Sequence, residues 1–165
     1  MSKEIQVRRA KRRDLTDIAA LVCQTTDAEI EVDKATVTEW LFSKGLWVAT
    51  EGDTLVGVAA WQAENLLSVT DVFHVSPTKL RTGIGTRLLE TIEAEADTLM
   101  CEANIVLIPV RAAEALHTFL QDQGYEAKEF DELHRIWREV LSDFAAQDSD
   151  LMVKRLRDRM VMVPI

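Results

Sequence analysis

The chain has little of what other scaffolds are built from. Its two cysteines, Cys23 and Cys101, lie far apart in sequence, which argues against a disulfide framework and a thiolate zinc site and fits a reducing compartment. No metal is expected. No apolar run approaches the ~20 residues that cross a bilayer. The opening "MSKEIQVRRAKRR" has no apolar signal core, so the cytoplasm is the expected location, away from any membrane. Basic residues are also scarce, at 19 Lys and Arg against 28 Asp and Glu. A net charge of −9 repels a phosphodiester backbone and argues against nucleic-acid binding. Aromatic residues make up 6%, with one tyrosine, Tyr125.

What is present fits one domain over residues 1–165, with an ordinary apolar content of 47%. Residues 5–9 read as a strand. Leu15, Ile18, Ala19 and Val22 mark one face of a helix, and a second helical segment surrounds Val37, Trp40 and Leu41. Residues 45–62 form a hairpin around "EGD", where Gly52 supplies a positive φ. Strands are expected at 66–75, 103–110, 125–130 and 150–156. Helices are expected from Gly83, over 111–123, and over 131–149. This alternation predicts an α/β fold with a mixed sheet of about seven strands flanked by helices.

Charge is uneven: residues 76–87 carry +3 and no acid, although residues 14–75 sum to −9. This basic stretch, "SPTKLRTGIGTR", holds Gly83 and Gly85 where a strand ends and a helix begins. A helix entrance offers unpaired N–H groups and a positive dipole end, and glycine lets a ligand approach the main chain. A phosphate or diphosphate suits such a turn. Neither nucleotide fingerprint fits: no G-x-x-x-x-G-K-[ST] is present, and Leu88 stands where G-x-G-x-x-G needs its last glycine.

The ordered pattern Val75, Pro77, Gly83, Ile84 and Gly85 resembles the acyl-CoA motif of the GNAT superfamily of N-acetyltransferases. "FLQDQGY" (119–125) is similar to that family's F-Y-x-x-x-G-F, and "LMVKRL" to its closing strand. The resemblance covers roughly residues 4–156. It implies a sheet splayed between the fourth and fifth strands, with residues 131–149 an inserted helix and 157–165 an extension. It also implies acetyl-CoA as co-substrate. The pantetheine arm would bond to the backbone near Phe73 and Val75. The diphosphate would meet the turn formed by Arg81, Thr82, Gly83, Ile84, Gly85 and Thr86.

The pattern departs from the family at Leu80, where Arg or Gln usually stands, and at Leu120, where many members carry a catalytic tyrosine. Tyr125 occupies a packing slot. Asp71 is the candidate base on the fourth strand, where alternation puts Val69, Asp71, Phe73 and Val75 on one face. A carboxylate satisfied by its neighbours is the alternative there. His117 is a candidate acid on the helix that carries Leu120, or else a solvated helix residue; His74 is expected to be structural.

Glu29 and Glu31, with Asp27 and Asp33, lie in the loop that would wall the acceptor pocket. Together with Trp40, Trp47 and Trp61 they would favour an amine cation, such as a small amine or a protein amine; a solvated loop with core tryptophans is the plainer alternative. The apolar stripe of 131–149 and the terminal "RMVMVPI" predict a homodimer. The reading is therefore an acetyl-CoA-dependent N-acetyltransferase acting by direct transfer. A non-catalytic acyl-CoA sensor or partner-binding module, suggested by Leu80 and Leu120, stays open.

Overall fold

The computed structural model describes residues 4–26, 30–76, 79, 83–109, 114–144 and 149–157. Seven strands form one sheet: β1 (Ile5–Arg9), β2 (Gly45–Glu51), β3 (Thr54–Glu64), β4 (Leu67–Val75), β5 (Ala103–Pro109), β6 (Glu126–Lys128) and β7 (Ser149–Arg155). Their order is β1-β2-β3-β4-β5-β7-β6. The described helices are α1 (Leu15–Thr25), α2 (Lys34–Ser43), α3 (Ile84–Thr98), α4 (Glu114–Asp122) and α5 (Arg135–Ser142). The mixed sheet with flanking helices, including one just before the last strand, agrees with the architecture expected from the sequence.

The chain divides into two compact units, the first made of residues 1–61 and 72–90, the second of 62–71 and 91–165. Both β4 and α3 contribute to each unit. In the first, β1 pairs antiparallel with β2, and β2 with β3. Gly52 turns the β2–β3 hairpin at φ 61°, as its sequence position required. Ile18, Leu21 and Val22 of α1 and Val37 of α2 are buried with Leu46, Val48, Val58, Ala60 and Val72. Asp14, 5% exposed, receives a bidentate Arg8 at 2.8 and 2.9 Å and the Lys11 N–H at 2.7 Å at the entrance to α1. The Asp14 carboxyl is held below its ordinary range chiefly by the Arg8 hydrogen bond.

In the second unit β4 runs parallel to β5 from Leu67↔Ala103 to Thr70↔Val106, and β7 pairs antiparallel with both β5 and β6. The apolar stripe of α5 is covered from within this unit. Leu133, Trp137, Val140 and Leu141 pack with Leu67, Val69, Ala103, Ile105, Leu107, Leu151 and Val153. That burial removes one of the two grounds for expecting a dimer; the other, residues 159–165, lies outside the described residues. Of the span 131–149, only Arg135–Ser142 is α-helical among the described residues. His134 starts the helix by accepting the Ile136 N–H at 3.2 Å.

Candidate functional site

The first unit holds the glycine turn. β4 ends at Val75, and the first hydrogen bond of α3 among the described residues runs from the Arg87 N–H to the Gly83 carbonyl at 3.0 Å. The N–H groups of Ile84, Gly85 and Thr86 therefore precede the helical ladder, as the first turn of any helix requires. Gly83 has φ +88°, and a Cβ built on it would meet nothing within 4 Å. Open space at a left-handed helix entrance is a ready approach for a ligand. Ile84 and Gly85 are buried, Thr86 is half-buried, and Phe73 and Val75 of β4 are buried. Arg81 and Thr82 lie outside the described residues.

The cations near the turn are more engaged than the sequence suggested. Lys79 Nζ lies 3.0 and 2.9 Å from the two carboxylate oxygens of Glu51. Arg87 donates to the Ile5 carbonyl at 3.0 Å. Neither is the mobile charge that the composition implied, so backbone N–H groups are the main described donors here. His74 is structural, as expected: its Nδ1 is 3.2 Å from Thr25 Oγ1, and burial lowers its pKa to about 4.

Of the residues expected to wall the acceptor pocket, the tryptophans and Asp33 make packing or capping contacts. Arg9 stacks over Trp47 at 5.0 Å, and Trp61 is buried against Gly45. Trp40 packs on the core beneath α1 and α2. Asp33 accepts the Thr36 N–H at 2.8 Å and so caps α2. Glu31 is exposed, while Asp27 and Glu29 lie outside the described residues.

The second unit holds the candidate acid–base groups. Asp71 is half-buried on β4, with its Oδ1 shielded from solvent. His117 Nε2 on α4 meets Asp150 Oδ2 of β7 at 3.1 Å. Asp150 was not singled out in the sequence; its place in "DSDL" just before an apolar strand was the available signal. Leu120, on the same helix as His117, is 0% exposed and belongs to the core.

A buried polar cluster lies in the same unit. Ser68 Oγ and Thr70 Oγ1 donate to Asn104 Oδ1 at 2.8 and 3.0 Å, and Asn104 Nδ2 donates to the Tyr125 hydroxyl at 2.8 Å. Ser68, Thr70 and Asn104 are fully buried and Tyr125 is 2% exposed. Burial, with the charge of Glu93, pushes the Tyr125 phenol well above its ordinary pKa despite the Asn104 bond. Lys154 lies over the Tyr125 ring at 5.7 Å and bonds Glu93 at 2.6 Å. The sequence carried this signal as a lone Asn in "ANIVLIPV" and polar residues two apart in "LLSVTDV".

The family model described as an acetyltransferase (GNAT) domain matches residues 23–140. The chain belongs to the GNAT acetyltransferase family. No curated protein matches it in sequence. Among solved structures it is similar to a GNAT-family acetyltransferase from Staphylococcus aureus, with TM-score 0.76 and 14% identity over 93% of this chain and 100% of that one. It is also similar to the N-acetylglutamate synthase of Neisseria gonorrhoeae, complexed with coenzyme A and N-acetyl-glutamate (TM-score 0.71, 20% identity, 95% of this chain and 36% of that one). A third is the PaiA N-acetyltransferase of Thermoplasma acidophilum, in complex with coenzyme A (TM-score 0.64, 12% identity, 92% and 99%). The chain thus spans about a third of the length of the synthase. At these identities the likeness is one of fold.

Acetyl-CoA fits the residues present. The α3 entrance offers unpaired N–H donors of the kind a diphosphate accepts, and the space beside Gly83 is open where a side chain would otherwise stand. Among the described residues no cluster of His, Cys, Asp and Glu gathers as metal ligands, and no helix is long and apolar enough to cross a membrane.

Proposed function

We propose that this protein is a cytoplasmic N-acetyltransferase that uses acetyl-CoA and acetylates a primary amine by direct transfer in a ternary complex. The observation that carries the reading is Gly83, left-handed and open at the α3 entrance within a chain of this family. Bound acetyl-CoA supplies the activated acetyl thioester. The N–H groups of Ile84, Gly85 and Thr86, with Arg81 and Thr82, bind the diphosphate, and the backbone at Phe73 and Val75 orients the pantetheine arm. Asp71 takes the proton that the amine must lose, directly or through water. His117, oriented by Asp150, holds the proton that the thiolate needs. Glu29 and Glu31 attract the cationic acceptor. A homodimer belongs to the same reading, supported now only by the apolar residues 159–165; a single species of monomer mass in dilute light scattering removes it.

Leu120 favours a second reading. Its side chain is fully buried where many members of the family carry the acid, as in a protein that binds acyl-CoA without turning it over. Calorimetry with acetyl-CoA, paired with thiol release across a panel of polyamines, amino acids and peptide amines, separates the two. Binding with turnover supports the transferase. Binding without turnover on any amine supports the sensor, and absence of binding refutes both.

A further inference from the structure

We propose that Asn104 is a positioning residue for the transfer: by holding Ser68 and Thr70 it fixes the backbone of β4 at the residue that follows, Asp71. This inference rests on the reading of Asp71 as the base. Ser68 stands directly opposite Asn104 in the parallel ladder, and Thr70 is two residues further along β4. Both hydroxyls converge on the single oxygen Oδ1, at 2.8 and 3.0 Å. The amide nitrogen is tied in turn to Tyr125, at the end of the α4 connection, at 2.8 Å. One side chain thus links β4, β5 and the segment that follows α4.

Simple stability does not account for this cluster. Exchanging a fully bonded buried group for apolar side chains of similar shape is often neutral or stabilising, so such a network is better explained by the single geometry it selects. The need for selection is visible in the ladder. β4 and β5 are joined over four residue pairs, and parallel pairing is weaker per residue than antiparallel pairing. On the other side of these strands, Leu67, Val69, Ala103 and Ile105 meet the α5 core through apolar contacts that impose little directionality. A one-residue slip of β4 would turn Asp71 to the opposite side of the sheet. In the observed register Asn104 Oδ1 accepts from both hydroxyls; slipped one way Leu67 and Val69 would come beside it, slipped the other way Val69 and the Asp71 carboxylate, and none of these donates to the buried Oδ1. The cluster therefore penalises wrong registers at the last paired residue before Asp71.

Thr70→Val is the decisive substitution, because it keeps the β-branched shape and removes only the hydroxyl. Thr70→Ser keeps the hydroxyl and serves as the rescue. Two measurements are made on the full chain: amide hydrogen exchange at residues 71–73, and acetyl transfer resolved into kcat and KM with the acetyl-CoA Kd measured by calorimetry. In Thr70→Val, exchange at 71–73 is expected to rise about tenfold or more and kcat to fall about tenfold, with the acetyl-CoA Kd within about twofold of wild type. Thr70→Ser should restore both. Asn104→Leu should act in the same direction and more strongly; if it does not fold, Thr70→Val still decides. Wild-type exchange at 71–73 in Thr70→Val overturns the proposal, as does loosened exchange with unchanged kcat. If the wild type itself turns over no amine, the transferase reading fails on that result alone. The exchange measurement then still shows whether Asn104 and Thr70 set the β4 backbone.

Discussion

Gly83→Ala isolates the contribution of the glycine turn. The substitution adds one methyl group, and the structure separates its two consequences. A Cβ at Gly83 meets nothing within 4 Å, so the added atom clashes with no described part of the protein. What remains is the backbone: φ +88° is a conformation that L-residues adopt at a cost of about 1–2 kcal/mol. For a chain of this length that lowers Tm by about 2–8 °C. The same methyl, however, projects into the space from which, in the proposed function, a diphosphate approaches the α3 N–H groups. Removing even one charge-assisted hydrogen bond, at about 1.5–3 kcal/mol, weakens binding by roughly ten- to 150-fold.

Gly124 provides the control, because it has nearly the same φ, +93°, and its Cβ would sit 3.6 Å from Lys154 in ordinary contact. Gly124→Ala should therefore show a similar fall in Tm. Its acetyl-CoA affinity, measured by calorimetry on the same day and buffer, should match wild type. Equal loss of affinity in the two variants, or none in Gly83→Ala, refutes the assignment of the turn to the diphosphate. A Tm loss confined to one of them would instead refute the equal-strain assumption.

Other measurements test the remaining assignments. Asp71→Asn should lower kcat by about a hundredfold or more, with the acetyl-CoA Kd unchanged, as read by thiol release against calorimetry. His74 links stability to pH: its folded pKa of about 4 lies below the ordinary 6.5, so the unfolded chain takes up the proton first and stability falls as pH drops from 6.5 towards 4. Between pH 6.5 and 5 this amounts to about 1.5 kcal/mol, and urea unfolding of His74→Asn should lack that part of the slope. Trp137 is 7% exposed and its indole N–H has no hydrogen-bond partner among the described residues. Trp137→Phe should thus cost less than about 1 kcal/mol in denaturant unfolding, because the lost ring area is offset by relief of an unsatisfied donor. Trp137→Ala, which only empties space, should cost about 3–5 kcal/mol.

The fold was legible because its signals are local and periodic. The 3.6-residue stripes of α1 and α3, the turn at Gly52 and the apolar run of β5 each declare an element without reference to the rest. The glycine turn was legible for the same reason, since strand, glycine and helix entrance are neighbours in sequence. The charges around it were misjudged because the partners of Lys79 and Arg87 are Glu51 and the Ile5 carbonyl, 28 and 82 residues away. The pairings His117–Asp150 and Asn104–Tyr125 are likewise separated by 33 and 21 residues, and composition gives no way to match them. The length of α5 was overestimated because its apolar spacing continues through Leu133 and Phe144, while the His134 and Asp143 caps end the helix inside that pattern.

The burial of Tyr125 bears on the chemistry as much as on the packing. It is the only tyrosine in the chain, it is tied to Asn104, and its phenol is driven towards the neutral form. A group 2% exposed and bonded inward cannot present its proton to a departing thiolate, and Leu120 has none to give. In the proposed transfer, proton donation then falls to His117 or to water, and the pH–rate profile distinguishes them. With water, kcat/KM should rise with pH through the ionisation of amine and base and then level off. With His117 as donor, the profile should gain a falling limb on the alkaline side, which His117→Gln removes. A profile that keeps its falling limb in His117→Gln refutes the histidine. One that never falls leaves the transfer dependent on positioning, and hence on the register that Thr70 and Asn104 impose on β4.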